Sequence, residues 1–253
     1  MHPVNKVLSF FGLELQRAEA RKRIPREFRA NYNQALKEIK RNGGVFKIVK
    51  DILYDVGSHP SHHSEAECEF ASYFISELKP DNILDIGSYR LWLIGLLSSN
   101  HVTTIDVRPR KSTLANEDVV TCDAKDLEFP DNSFDAVTSL FSIQHFGLGR
   151  YGDELDLDAD KKAFNEMVRV LKPNGYLIFS TYITNAQPFI MFNARRVYSY
   201  EMIRAFCTNL TCIEEKFYSK SLNRFCPLEE VTAKKEDWDI YLGCWGKIKG
   251  SGK

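Results

Sequence analysis

Long apolar runs are missing from this 253-residue sequence, and none approaches the length that a bilayer span requires. The stretch 7–13 is too short for a secretory core, and Glu14 closes it. Paired cysteine spacings are missing as well. Six cysteines stand at 68, 122, 207, 212, 226 and 244, none of them as C-x-x-C and none within a zinc-ligand pattern. This excludes a disulfide scaffold and points to free thiols in a reducing, cytoplasmic setting. Net charge is absent too: 34 basic residues cancel 34 acidic ones. No global field therefore draws the chain to nucleic acid or a membrane. No 20–50-residue repeat is present, which removes solenoids and propellers.

The charge is nevertheless uneven. Residues 1–50 hold 12 Lys/Arg against 4 Asp/Glu, and the remainder holds 22 against 30. The basic part reads as a solvated helical surface or as an arm that meets an anionic partner. Pro25 opens a helical pattern that runs to about Arg41, where Asn42-Gly43-Gly44 stops it. Residues 45–56 carry no clear period, and 57–63 read as a loop. We expect a helical extension over 1–58, suited to covering a site or to self-association, and a main domain over 59–253.

From residue 64 onward strands and helices alternate. Ser64-x-x-Glu67 matches a capping box, and Phe70, Phe74 and Leu78 share the face of the helix it would open. Strands are expected at 82–86, 102–107, 119–122, 134–141 and 176–183, with a helix at 91–97. Phe164, Met167, Val168 and Leu171 repeat at helical spacing, and Pro173-Asn174-Gly175 ends that helix. A further helix at 199–210 precedes two strands at 212–218 and 239–248, which have no helix between them and should pair antiparallel. The expectation is an α/β fold: a doubly wound, mostly parallel seven-stranded sheet with an antiparallel edge strand.

In such sheets ligands bind beyond the carboxyl ends of the strands. The first strand ends Ile83-Leu-Asp85-Ile-Gly87-Ser88-Tyr89-Arg90, and the second ends at Asp106, 21 residues after Asp85. A carboxylate there is placed to accept from a ribose diol. Asp123, ending the third strand, can accept from an exocyclic adenine amine. Three carboxylates on one rim disfavour a pyrophosphate and favour a neutral or cationic nucleoside.

The segments ILDIGS, TTIDV, CDAKDLEFPDNSFDAVTS and EMVRVLKPNGYLIFS, in this order, resemble class I methyltransferases that use S-adenosylmethionine. The resemblance spans about 64–248. It implies that Asp85 and Ser88 orient the first loop near the methionine end, and that Gly87 lets the backbone come close. It implies that Asp106 and Val107 hold the ribose and the adenine face, and that Asp123 and Ala124 hold the adenine edge. Leu140 and Phe141 would border the methionine end. One departure stands out. Tyr89 and Leu91 occupy the second and third glycine positions of the usual G-x-G-x-G loop. Either the loop takes another path, with Ser88 and Arg90 replacing backbone contacts, or the fold has become a non-catalytic binding or scaffold protein. HFGLGRYGDELDLDAD with FNARRVYSYEMI is similar to a methyltransferase-like family that accompanies bacterial surface polysaccharides.

His145, just past the fourth strand, is the candidate general base, with a pocket-shaping residue as the alternative. Residues 146–152 suit a lid. Asp153, Asp156, Asp158 and Asp160 read better as helix caps than as a metal site. The crowd of His59, His62, His63, Glu65, Glu67 and Cys68 fits no zinc pattern and reads as a structural loop, so no metal is expected. Arg195 and Arg196 are candidates to grip an anionic acceptor. The expected activity is methyl transfer to a small polar acceptor, foremost a sugar hydroxyl.

Overall fold

The computed structural model describes residues 25–42, 44, 47–48, 62–112 and 114–247. The apolar stretch 7–13, most of the 45–56 segment, and His59 lie outside the described residues. Contacts divide the chain into units at Met1–Pro60 and Ser61–Lys253. In the first, helix α1 spans Arg26–Asn42, with Glu27 in its first turn and Lys40 and Arg41 in its last, which suits the helix dipole. No described helix is long and apolar enough to cross a membrane.

The second unit begins with helix α2, His63–Leu78. Its N-cap is His62, whose ring accepts from the Ser64 N–H. The capping box expected at Ser64 is not formed, because Glu67 is buried and turned toward His63 instead. Strand β1, Ile83–Ile86, is buried throughout. Helix α3 (Arg90–Leu96) leads to β2 (Val102–Asp106), β3 (Glu117–Thr121) and β4 (Phe134–Ser139). Helix α4 covers Ala159–Val170 and turns Phe164, Met167 and Val170 inward.

Strand β5 runs over Leu171–Ile183. Pro173-Asn174-Gly175 therefore falls inside the strand. It forms a bulge where Phe134 pairs Leu171 and the register resumes at Ala136 with Tyr176. A small hairpin follows, β6 (Phe189–Met191) and β7 (Arg195–Val197), for which the sequence reading assigned no element. Helix α5 (Tyr200–Phe206) is capped by the Ser199 hydroxyl. Strands β8 (Thr211–Ser219), β9 (Arg224–Cys226) and β10 (Asp239–Gly246) complete the unit.

The main sheet has eight strands, in the order β3-β2-β1-β4-β5-β10-β8-β9. Strands β1 to β5 are parallel, while β10 inserts antiparallel between β5 and β8. The expected seven strands gain β9, and β10 lies inside the sheet, where all eight of its residues are buried. Alternation along β5 divides the core. Leu177, Phe179 and Ile183 face α4 and α5, while Ile178 and Tyr182 face α2 and α3. Phe164 locks the first layer between Phe179 and Phe206, at 5.3 and 5.2 Å between ring centroids. All six cysteines are free thiols.

Candidate nucleoside site on the carboxyl rim

Strand order reverses between β1 and β4, so the connections after these strands diverge and leave a crevice. Two adjoining clefts occupy it. The first is lined by Gly87, Asp106, Val107, Asp123, Ala124 and Ser142, among others. The second runs past Asp85, Ser88, Tyr89, Arg90 and Arg110. Gly87, Asp106, Arg108, Phe141 and Tyr151 belong to both.

The loop after β1 shows how the chain manages without further glycines. Gly87 takes φ +67°, and an added Cβ would stand 3.1 Å from the Ser142 Cβ. That position needs glycine. Tyr89 takes φ −58° and ψ 126°, which any residue tolerates, and its ring is 48% exposed. It does not enter the first cleft. Ser88 donates its N–H to Asp85 Oδ2 at 3.2 Å, and its hydroxyl accepts from the Leu140 N–H at 2.9 Å. Arg90 borders the second cleft, where its guanidinium forms a bidentate pair with the buried Glu117, at 2.5 and 2.9 Å. Burial opposes ionisation of Glu117, but bonds from Arg90, Ser112 and Arg110 outweigh it and hold its pKa down at about 2. Ser88 thus bridges Asp85 to the segment after β4, and Arg90 anchors α3 to β3.

Asp85 is buried, and Thr138 donates to it at 2.7 Å. Burial raises its pKa to about 6 against these bonds. Asp106 stands at the mouth with both oxygens engaged: Arg108 Nε donates to Oδ1 at 2.9 Å and Nη2 to Oδ2 at 2.7 Å. Burial pushes its pKa up, but the side-chain and backbone bonds of Arg108 prevail and hold the carboxyl below its usual range. The Arg108 guanidinium lies 4.5 Å over the Tyr151 ring, which closes the cleft from above. Asp123 accepts from the Lys125 N–H at 3.0 Å and keeps part of its carboxylate at the cleft wall. The sequence reading missed Arg108 and Tyr151. Their only signal is a cation two residues past the strand-end acid and an aromatic in the glycine-rich loop.

Leu140 is a correction: its side chain is fully buried in the core and lines neither cleft, whereas Phe141, expected beside it, lines both and Ser142 lines the first. Phe141 adopts φ +63°, a costly conformation for a bulky residue. Its N–H donates to the Ser180 hydroxyl at 3.1 Å, and its ring packs edge-on to Tyr89 at 5.8 Å.

His145 lines the first cleft. Its Nδ1–H donates to the Ala194 carbonyl, and Nε2 faces the Gln144 amide at 3.4 Å. Burial, helped by Arg150 and Arg195, drives its pKa down to about 4 against that carbonyl bond. The two arginines separate sharply. Arg196 is buried, donating to the carbonyls of Phe146, Asp156 and Leu157 and lying 3.6 Å from Asp160. It holds the 146–157 segment in place and lines neither cleft, contrary to the expectation that it grips an acceptor. Arg195 stacks on Trp238 at 4.5 Å and Tyr182 at 5.3 Å and lines neither cleft. Gly147, at φ +66°, belongs to the same segment, and a Cβ there would collide with the Asp156 carbonyl. The acidic run is structural. Asp153 accepts from the Gly149 and Tyr151 N–H groups, Asp156 from the Asp158 N–H, and Asp160 from the Tyr198 hydroxyl. No metal-binding cluster occurs among the described residues.

Residues 84–179 match a family model described as a methyltransferase domain. No curated protein matches the sequence. Several solved structures share the fold. The 1,6-didemethyltoxoflavin-N1-methyltransferase of Burkholderia thailandensis, crystallised with 1,6-didemethyltoxoflavin and S-adenosylhomocysteine, aligns over 89% of this chain and 91% of its own, at 13% identity and a TM-score of 0.56. N-methyltransferase NodS of Bradyrhizobium japonicum WM9, in complex with S-adenosylhomocysteine, aligns over 74% and 87%, at 18% identity and a TM-score of 0.52. The [4+2]-cyclase SpnF aligns over 74% and 83%, at 16% identity and 0.54. The chain thus matches a methyltransferase-domain model over 84–179 and shares the Rossmann-like fold of these structures.

Proposed function

We propose that the protein is an S-adenosylmethionine-dependent methyltransferase acting on a small polar metabolite. The observation that carries this reading is the pair of joined clefts with Asp85, Asp106 and Asp123 along them. The adenosine would occupy the first cleft, with its ribose diol on Asp106, its exocyclic amine on Asp123, and Val107 and Ala124 against the ring. The methionyl end would pass Gly87 into the second cleft, its ammonium toward Asp85 and Ser88. Such a donor supplies a methyl group activated by the sulfonium. The chain's own task is to align it with the acceptor and to shield it from water. Tyr151 and Arg108 serve the shielding by roofing the nucleoside.

His145 is better read as cleft wall than as the base. An imidazole with a pKa near 4 is neutral at physiological pH, yet a poor destination for a proton. An oxygen or nitrogen acceptor fits the reading. A sugar hydroxyl follows from the likeness of 145–160 and 192–203 to the polysaccharide-associated family, while the printed names of two structural neighbours specify nitrogen. The departure in the glycine loop motivates a non-catalytic alternative, and the unstrained path of Tyr89 argues against it. Calorimetry with S-adenosylhomocysteine tests the proposal. Saturable binding that is weakened in Asp106→Ala supports it, and no heat at millimolar ligand refutes it. Methyl transfer from labelled S-adenosylmethionine to a panel of sugar nucleotides and amines then selects the acceptor.

A further inference from the structure

An acceptor hydroxyl or ammonium must lose a proton, and Asp85, whose pKa burial raises to about 6, is already assigned to the methionyl ammonium in the reading above. Asp106 is occupied by Arg108, and His145 is too acidic. A carboxylate–imidazole pair stands just beyond Phe141. His63 and Glu67 lie one turn apart on α2, with Nδ1 3.2 Å from Oε2. The Glu67 side chain is 1% exposed and that of His63 is 23% exposed. Burial pushes the Glu67 pKa up, partly offset by bonds from His63 and Ser180. The His63 ring lies 6.4 Å from that of Phe141, which borders both clefts. Among the described residues its Nε2 has no hydrogen-bond partner.

We propose that His63 is the proton acceptor of methyl transfer, positioned by Glu67, with the methyl acceptor seated on the α2 side of Phe141. This rests on the methyltransferase reading above. Tying Nδ1 to a buried carboxylate fixes the ring and its tautomer and leaves Nε2 as the open lone pair. Ser180 bonds both Glu67 and the strained Phe141 backbone, so one hydroxyl couples the dyad to the cleft wall. In the step, a lone pair on the acceptor oxygen or nitrogen forms the new bond to the methyl carbon. The carbon–sulfur bond breaks with its electron pair going to sulfur, which becomes a neutral thioether. The acceptor's proton passes to Nε2, and the imidazolium is stabilised by Glu67. The substrate class is therefore an alcohol or an amine.

The charged and titratable neighbours of His63 are His62, Glu65 and Glu67 on α2, with Tyr182 of β5 beyond Glu67 and Arg195 against Tyr182. Sinefungin probes this position without a known acceptor, because it carries an amine-bearing carbon where the donor carries its methylsulfonium. Its ammonium can donate to a neutral His63, whereas S-adenosylhomocysteine offers nothing there. Calorimetry on the full chain at pH 8 is the experiment. We expect sinefungin to bind at least fivefold tighter than S-adenosylhomocysteine. His63→Gln should remove the preference, while S-adenosylhomocysteine affinity stays within twofold and reports an intact fold. Glu67→Gln should shrink the preference while leaving S-adenosylhomocysteine affinity within twofold, which a packing role alone would not do. Equal affinities for the two compounds, or a preference that survives His63→Gln, overturns the assignment. Failure of the wild type to bind either compound overturns the methyltransferase reading itself, and the assignment with it.

Discussion

Acidifying the solution from pH 7 to pH 5 should weaken S-adenosylhomocysteine binding about tenfold, through Asp85. Its carboxyl is fully buried, and burial raises its pKa to about 6 despite bonds from Ser88 and Thr138. A ligand ammonium beside it favours the ionised form, so the proton must leave before or during binding. At pH 7 roughly nine-tenths of free molecules already carry the charge, and at pH 5 only about one-tenth do. The apparent affinity should fall by that ratio, about 1.4 kcal/mol. His145 does not confuse the experiment above pH 5, since it remains largely neutral there. The assay is isothermal calorimetry at pH 5, 6 and 7 on the wild type and Asp85→Asn. The variant should bind more weakly at pH 7 and show a flat profile. The same shift sets a stability term with a definite sign. A carboxyl whose folded pKa is raised contributes stability that is present below pH 4 and lost as the pH rises through 6. At pH 7 the buried charge costs about 3 kcal/mol, so Asp85→Asn should not lower the melting temperature there. A tenfold acid loss that persists in Asp85→Asn would refute the reasoning, because another group would then be responsible.

Asp106→Ala should weaken S-adenosylhomocysteine by roughly 1–3 kcal/mol, the range for a charge-assisted hydrogen bond, and calorimetry reads this directly. Arg196→Met should cost about 3 kcal/mol or more in urea unfolding, because three carbonyls and Asp160 lose their partner. The same unfolding assay should show a loss of about 2 kcal/mol or more for Gly147→Ala, from left-handed strain plus a backbone collision. For His145 the folded pKa lies below the unfolded one, so its contribution is present above pH 6.5 and lost as the pH falls toward 4. His145→Gln should remove about 3 kcal/mol of that acid sensitivity, measured as the change in unfolding free energy between pH 7 and pH 4.

Much of the fold was legible because its core strands are short apolar runs separated by helical periods. Asp85, Gly87, Asp106 and Asp123 were legible because each ends such a run, and a strand end on the carboxyl rim is a place as well as a residue. What failed did so for local reasons. Leu140 and Phe141 were both expected at the cleft, but β4 ends at Ser139, and past it only Phe141 reaches the cleft wall. Arg195 and Arg196 are chain neighbours on β7, so they point to opposite sides. No pattern in the sequence says which side the 146–157 segment will cover. The bulge at Asn174 mimics a helix stop, since the same Pro-Asn-Gly chemistry serves both. The insertion of β10 depends on pairings with β5 and β8 that are distant in sequence. Placing the helix start at Ser64 also concealed the His63–Glu67 pair, which exists only if residue 63 is already helical.

The glycine-poor loop shows how a motif can change while its task survives. In the usual sequence, extra glycines let the first loop turn tightly enough to bring backbone close to a ligand. Here only Gly87 takes a left-handed angle, and the next residues follow ordinary dihedrals. The turn is maintained by other means: Ser88 ties β1 to β4, and Arg90 ties α3 to the buried Glu117 of β3. A glycine's backbone freedom has been replaced by side-chain bonds, which also fix the loop more firmly. The exchange puts Tyr89 and Phe141 face to edge beside the second cleft, where glycines would have left open space. A narrower, aromatic-walled passage at this point restricts which acceptors reach the methyl position. Tyr89→Gly would test this: it should widen the range of acceptors methylated without strengthening binding of S-adenosylhomocysteine.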